Sequence, residues 1–253
     1  MISGYSLMSV AGWAYPPEIM TNLVNQIGTT FSFRKTNLTS VYHLVDLDQE
    51  LDFKNRPSCY AHRINGALHT LTKDVIGIGW SMGGIALLET ACWNANAFSA
   101  LVLISATPRF IFDNDFVFGK KDLEIKNLAR GILTDDEATY EKFFSKTQNS
   151  LLGNQATIDN SVKYVTGLDQ RKLLHGLAYL EHIDVRRHLP NIHVPVLLIH
   201  GKNDPIVSWE ASEFLSQKLP QNKTLVIEDA GHDVFITHQT QVLKEIKEFI
   251  GAL

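Results

Sequence analysis

The chain has 253 residues, a net charge of −4 and an ordinary apolar share of 45 %. That length suits one large α/β domain with room for an insertion, and the negative balance argues against a general nucleic-acid binder. No apolar run approaches the roughly 20 residues needed to cross a bilayer, so no membrane partner is expected. Residues 1–10 carry neither a basic n-region nor a long apolar h-region, which predicts no signal peptide and a cytoplasmic protein. The two cysteines, Cys59 and Cys92, offer no disulfide framework or metal-ligand spacing and read as free thiols in a reducing compartment.

Tyr5-Ser6-Leu7-Met8-Ser9-Val10 reads as a short buried strand that runs into Ala11-Gly12-Trp13-Ala14. Pro17 suits the first turn of a helix carrying Ile19, Met20, Leu23 and Ile27 on one face. A strand is expected over 41–47, then an acidic loop around Asp48, Glu50 and Asp52, a helix over 58–71 and a strand over 74–78. A glycine turn leads into a helical run at 85–91, and 98–105 is another buried strand. The rhythm breaks at Ala106-Thr107-Pro108. From 110 to 188 the patterns are helical only, near 121–130, 135–151, 156–165 and 170–181, with Asp135 and Asp159 where N-caps or first-turn acids belong. The strand rhythm resumes at 194–200, followed by a helix over 208–219, a strand over 223–227 and a last helix with Val242, Ile246, Phe249 and Ile250 on one face. Alternating strands and helices predict an α/β protein with a mostly parallel sheet covered on both faces. The expected organisation is a single domain: a core of residues 1–106 and 189–253, with 107–188 inserted as an all-helical lid.

Gly79-Trp80-Ser81-Met82-Gly83-Gly84 is a G-x-S-x-G sequence with a strand before it and a helix after it. In that context the turn presents the serine on a sharp elbow at the top of a sheet. A serine hydroxyl needs a base to take its proton and a third group to orient that base. Asp204 and His232 each follow an expected strand, as Ser81 does, so all three fall at the edge where C-terminal strand ends meet. Ser81 is the candidate nucleophile, His232 the base and Asp204 the orienting acid. Asp204 could also merely cap the turn Asn203-Asp204-Pro205. The other nine histidines, His200 among them, read as surface or core residues, and no pair has the H-E-x-x-H zinc spacing. The oxyanion donors expected are the backbone N–H groups of Met82 and Trp13. Trp80 is expected to line an acyl pocket, and Phe110, Phe112, Phe116, Phe143 and Phe144 either wall an apolar channel or, equally, form the core of the lid.

The order Ser, Asp, His and nearly the whole chain resemble the α/β-hydrolases, so the α/β-hydrolase fold is expected. More narrowly, the chain resembles the BioH-type pimeloyl-acyl-carrier-protein methyl ester esterases. The stretches that carry this resemblance are Val45-Asp46-Leu47, Gly79-Trp80-Ser81-Met82-Gly83-Gly84, Ser105-Ala106-Thr107-Pro108-Arg109-Phe110, Gly176-Leu177-Ala178-Tyr179-Leu180 with Asp184-Val185-Arg186, and the loop from His232 to His238. It implies hydrolysis of the methyl ester on pimeloyl-acyl-carrier protein, giving free pimeloyl-carrier protein and methanol for biotin synthesis, with no metal or organic cofactor. The chain departs from that family's pattern in three places. Ala11-Gly12-Trp13-Ala14 stands where His-Gly-Trp-Gly is usual, the usual N-terminal hairpin is expected to be missing or minimal, and no Gly-x-Gly-x-Ser follows Asp46-Leu47.

An acidic carrier protein as partner calls for positive charge on the lid. Residues 107–188 hold 12 Lys and Arg against 12 Asp and Glu. Steering would therefore rest on local groups such as Lys120, Lys121, Lys126 and Arg130, or Lys142, Lys146 and Lys163, which otherwise read as solvated helix faces. The alternative activity is a general short-chain carboxylesterase or thioesterase with the same three residues. A hydrolase fold retained as a binding module is a third reading, disfavoured by the intact Ser, Asp and His set.

Overall fold

The computed structural model describes residues 4–47, 57–71, 74–134, 137–148 and 155–253. Among these residues six strands build one sheet: β1 (Ser6–Ala11), β2 (Thr36–Ser40), β3 (Val75–Trp80), β4 (Ala100–Ile104), β5 (Val196–Gly201) and β6 (Asn222–Ile227). Their order is β2-β1-β3-β4-β5-β6, and every pairing is parallel. Strands β1, β3, β4 and β5 are buried along their whole length. Continuous apolar runs such as Val196-Leu197-Leu198-Ile199 are what a parallel strand covered on both faces requires.

The helices of the core are α1 (Thr21–Gly28), the single turn α2 (Val41–Leu44), α3 (Cys59–Leu68) and α4 (Met82–Trp93). Helix α4 packs on β1, β3 and β4, and α3 packs outside it. Every residue of α4 from Met82 to Ala91 is buried, so it is covered on all sides where an outer helix would be amphipathic, and its buried Glu89 accepts hydrogen bonds from Ser58 and Tyr179. Ser58 caps α3, its hydroxyl accepting the Ala61 N–H at 3.3 Å. Between β4 and β5 run α5 (Asp122–Leu133), α6 (Glu137–Thr147), α7 (Gln155–Thr166) and α8 (Gln170–His182), packed as α5 on α6, α6 on α7 and α5 on α8. The chain closes with α9 (Glu210–Lys218), the short α10 (Val234–Thr237) and α11 (Gln239–Gly251), which buries Val242, Ile246 and Ile250 against the sheet.

The sheet's topology positions the site. From β1 the chain steps to β2 on one side, then to β3 on the other, and continues to β6. A crevice opens outside the carboxyl ends of two neighbouring strands where the order reverses in this way, here β1 and β3. The register keeps the strand ends level: Val10 lies opposite Gly79, Trp80 opposite Ile104, Ile104 opposite Ile199 and Gly201 opposite Ile227.

Two sequence expectations are corrected. The second strand is Thr36–Ser40, not 41–47, and the apolar Val41 and Leu44 instead bury one helical turn. Among the described residues β2 is an edge strand paired with β1 alone, so Thr and Asn are tolerated where a central strand would need an apolar run. Asp159 is not an N-cap: it sits in the second turn of α7, where Gln155 Nε2 donates to it at 2.8 Å. Among the described residues, an acidic cap is carried by α8, whose Asp169 accepts the Arg171 N–H at 2.9 Å. The loop of Asp48, Glu50 and Asp52 and the cap at Asp135 lie outside the described residues.

Candidate active site

Ser81 joins β3 to α4 with φ 55°, in the left-handed region that costs a non-glycine residue about 1–3 kcal/mol. Close packing around the turn holds it there. A Cβ on Gly79 would lie 2.5 Å from the Gly84 Cα, and one on Gly83 would lie 2.2 Å from the Val10 carbonyl oxygen of β1. The N-terminus of α4 is therefore seated directly on the ends of β3 and β1, at a distance only glycine permits. Ser81 N–H donates to the Ile104 carbonyl at 2.8 Å, fastening the elbow to β4. Ala14 after β1 (φ 63°) and Ser105 after β4 (φ 49°) are the other non-glycine residues with positive φ among those described, and both lie at this same edge.

The three sequence candidates meet here. His232 Nε2 lies 2.9 Å from Ser81 Oγ, and its Nδ1 lies 2.7 Å from Asp204 Oδ2. Asp204 both caps its turn and reaches the histidine, because its two oxygens divide the work. Oδ1 accepts the N–H groups of Ile206 (2.8 Å) and Val207 (2.9 Å), and Oδ2 faces His232. Burial works to raise the Asp204 carboxyl. The charge of His232 and hydrogen bonds from His200 and His232 outweigh it and hold the group well below the usual carboxylate range. A carboxylate that stays ionised beside Nδ1 leaves Nε2 as the nitrogen that can accept the serine proton. Of the acids flanking His232 in sequence, Asp229 faces His238 at 3.2 Å.

Two further contacts hold His232, and the sequence reading missed both. Trp80 Nε1 and Ser105 Oγ donate to its backbone carbonyl at 2.9 and 3.0 Å. Trp80 is thus more than a pocket wall; it links β3 to the histidine loop. The one available signal for Ser105 was its position at the end of the β4 run, on the edge shared with Ser81.

Met82 opens α4, so its N–H is a first-turn donor without a partner inside the helix. The loop after β1 passes close to the serine, and a Cβ on Gly12 would lie 3.1 Å from the Ser81 Cβ. Trp13 turns its indole toward α8 and α6, where Nε1 donates to the Leu173 carbonyl at 3.0 Å and the ring meets Phe143 edge-on at 5.0 Å.

A cavity of about 40 Å³ adjoins Ser81, with Trp13, Tyr15, Trp80, Met82, Phe110, Phe143 and His232 in its walls. It shares Phe110, Ile125, Leu128, Phe143 and Ile206 with an outer cavity of about 250 Å³ bordered by Lys120, Lys142 and Lys146. Phe144 is corrected as a pocket residue: it is fully buried behind the wall, edge-on to Tyr15 and Phe143. Phe112 is exposed, and Phe116 packs against Phe118 and Phe214, so neither borders this space. Of the lysines considered, Lys120 donates to the Pro205 carbonyl at 2.7 Å and Lys126 pairs with Asp122. Among the described residues no cluster of His, Cys, Asp and Glu could hold a metal ion, and no helix is long and apolar enough to cross a membrane.

A parallel sheet, a strained serine elbow at its switch point, and a histidine and an aspartate in hydrogen-bond sequence define a hydrolase-type fold. The family model described as alpha/beta hydrolase fold matches residues 23–239, and the chain belongs to that family. Among its relatives is the pimeloyl-[acyl-carrier protein] methyl ester esterase of Stenotrophomonas maltophilia (strain K279a), 28 % identical over 99 % of this chain and 94 % of the relative. The protein of that name from Aliivibrio fischeri (strain MJ11) is 22 % identical over 98 % of this chain and 94 % of its own. An esterase from Exiguobacterium antarcticum superposes with a TM-score of 0.85 at 19 % identity, covering 98 % of this chain and 92 % of the other. A bromoperoxidase from Bacillus anthracis does so at 0.83 and 18 %, with the same coverage. The last two share the fold, which hosts more than one chemistry.

Proposed function

We propose that Ser81, His232 and Asp204 are the nucleophile, base and orienting acid of this carboxylic ester hydrolase, and that its substrate is the methyl ester of pimeloyl-acyl-carrier protein. The unbroken run from Ser81 Oγ through His232 to Asp204, at 2.9 and 2.7 Å, is the observation that carries the mechanism. Ser81 Oγ attacks the ester carbonyl while His232 Nε2 takes its proton. The oxyanion is held by the backbone N–H groups of Met82 and Trp13. His232 returns the proton to the departing methoxide, which leaves as methanol, and the acyl group remains on Ser81. A water, deprotonated by His232, then releases free pimeloyl-carrier protein and restores the serine. Asp204 keeps the imidazole in the Nδ1–H tautomer and balances its charge when Nε2 is protonated.

The choice of substrate is supported by relatives of that printed name that align with nearly the whole chain. The cavities agree with it in shape. The 40 Å³ space at Ser81 suits a small ester end, and the outer cavity continues it as an apolar passage toward Lys142 and Lys146. A carrier protein on the α6 side would reach the serine only through an extended acyl chain. Its acidic surface would meet those lysines, not a bulk positive field.

The test uses purified wild type and Ser81→Ala on a p-nitrophenyl ester and on pimeloyl-carrier-protein methyl ester, with complementation of a biotin auxotroph lacking this esterase. Both substrates turn over with wild type, and Ser81→Ala loses at least about a thousandfold in each. Activity of Ser81→Ala near wild type would overturn the mechanism. Turnover of the small ester alone, with no rescue of growth, would leave the mechanism and replace the substrate by that of a general short-chain carboxylesterase or thioesterase.

A further inference from the structure

We infer that His200 is a positioning residue for Asp204, a fourth member of the hydrogen-bonded series behind Ser81; this rests on the reading of Asp204 as the acid that orients His232. His200 is the fifth residue of β5, at the end of the run Val196-Leu197-Leu198-Ile199, and is wholly buried. A leucine there would continue the apolar strand, whereas a buried imidazole costs free energy unless both nitrogens are paired. Both are paired. Nε2 lies 3.0 Å from the Val207 carbonyl oxygen and 3.2 Å from Asp204 Oδ2. Both neighbours accept, so Nε2 carries the proton and shares it between them. Nδ1 then accepts the hydroxyl of Ser212, 2.7 Å away on α9. That bond selects the tautomer, as partners of a ring's second nitrogen do in other sites.

The consequence is local to Asp204. Four donors surround its carboxylate: the Ile206 and Val207 N–H groups on Oδ1, and His232 Nδ1 and His200 Nε2 on Oδ2. With both oxygens occupied, the carboxylate cannot rotate away from His232. A donor on Oδ2 also makes that oxygen less basic, so Asp204 orients the imidazolium without taking its proton. The ionisable group that meets this pair from another element is His232 on the β6 loop, through Asp204, while α9 presents the uncharged Ser212.

The experiment compares His200→Leu, His200→Gln and Ser212→Ala with wild type and Ser81→Ala on a p-nitrophenyl ester, recording kcat, KM, the pH profile of kcat/KM and Tm. His200→Leu is expected to lose roughly ten- to a hundredfold in kcat, the range typical of removing the partner behind a functional side chain, with KM little changed. The acid limb of its profile moves to higher pH, because Asp204 with one donor fewer holds the protonated His232 more tightly. His200→Gln, whose amide places an N–H near the position of Nε2, recovers most of the loss. Ser212→Ala shows a smaller loss and the same direction of pH shift, and it decides the matter if the leucine variant does not fold. A folded His200→Leu with wild-type kcat and acid limb overturns the inference, as do equal losses in the leucine and glutamine variants with no movement of the limb. An active Ser81→Ala would instead remove the reading on which the inference rests, and is scored separately.

Discussion

Ala14 sits at φ 63°, at the position where the family resembled here usually has glycine. A left-handed alanine costs about 1–2 kcal/mol, and glycine returns about 0.4–1 kcal/mol of that through its freer unfolded chain. Ala14→Gly should therefore raise stability slightly, by up to about 1 kcal/mol, or a few degrees in Tm for a domain of this size. A thermal melt checks it, and a fall in Tm would show that the alanine methyl makes contacts worth more than the strain. Ser81 and Ser105 bear the same kind of strain, but each has a second duty that glycine could not take over: Ser81 Oγ faces His232 Nε2, and Ser105 Oγ holds the His232 carbonyl. At this scale the sequence was readable where a residue's position follows from its place after a strand: Ser81, Asp204 and His232 meet as expected. The donors to the His232 carbonyl, Trp80 Nε1 and Ser105 Oγ, come from distant parts of the chain and are found only once three strand ends are level.

At the scale of elements, the loop after β1 and helix α8 are fitted to each other. Trp13 Nε1 donates to the Leu173 carbonyl, and the indole lies against Gly176, where a Cβ would come within 2.5 Å of Cδ1 and 2.9 Å of Nε1. Gly176→Ala must push the indole aside and with it the backbone from Gly12 to Ala14. Since that backbone is proposed to hold the oxyanion, kcat is expected to fall by about ten- to a thousandfold, with KM and the far-ultraviolet circular dichroism near wild type. Kinetics on a p-nitrophenyl ester read this out, and an unchanged kcat would detach the loop's placement from α8. The glycine was visible in sequence as part of a family-like stretch, but its reason was not, because the partner indole lies far away in the chain. The misplaced second strand has a different cause. Hydrophobic patterning finds strands by what they bury, and β2 at the sheet's edge buries little, so the more apolar residues next to it drew the assignment.

Across the whole molecule, the segment that follows β4 is tied to the segment that follows α8, at the two ends of the run of helices between β4 and β5. Arg109 and Arg186 alternate with Asp113 and Asp184: Arg109 Nη1 lies 3.0 Å and Arg186 Nη2 2.7 Å from Asp184, and Arg109 Nε and Arg186 Nη2 each lie 2.9 Å from Asp113. Val185 N–H donates to the Pro108 carbonyl at 3.0 Å across the same junction. Farther in, Tyr15 OH and Thr147 Oγ1, 2.5 Å apart, join the β1 loop to the end of α6. Burial works to raise the Asp184 carboxyl, but hydrogen bonds from Arg186 and the charges of Arg186 and Arg109 lower it further than burial raises it. A carboxyl lowered on folding stabilises the fold above its unfolded value, near 4, and loses that contribution as pH falls through the folded value. Asp184→Asn should thus cost about 1–2 kcal/mol near pH 7, a figure reduced for a cluster that is partly solvated. The gap in Tm between variant and wild type should close as pH drops below about 4. Melts at pH 7 and pH 3 decide this, and an equal gap at both would mean the aspartate acts through shape, not charge.

The sequence by itself determined the alternation of strands and helices, the serine elbow and the two loops that carry Asp204 and His232. Each of these is written in a short window: a buried strand needs consecutive apolar residues, and an elbow needs glycines beside its serine. It also placed helical patterns between the strands now numbered β4 and β5. Only the tertiary structure decided which aromatics border the space at Ser81, that Phe144 stands behind that wall, and that His200 is paired with Asp204 and Ser212. Those outcomes depend on side chains from separate elements competing for the same few ångströms, and hydrophobic periodicity records that a face is buried without recording what it is buried against.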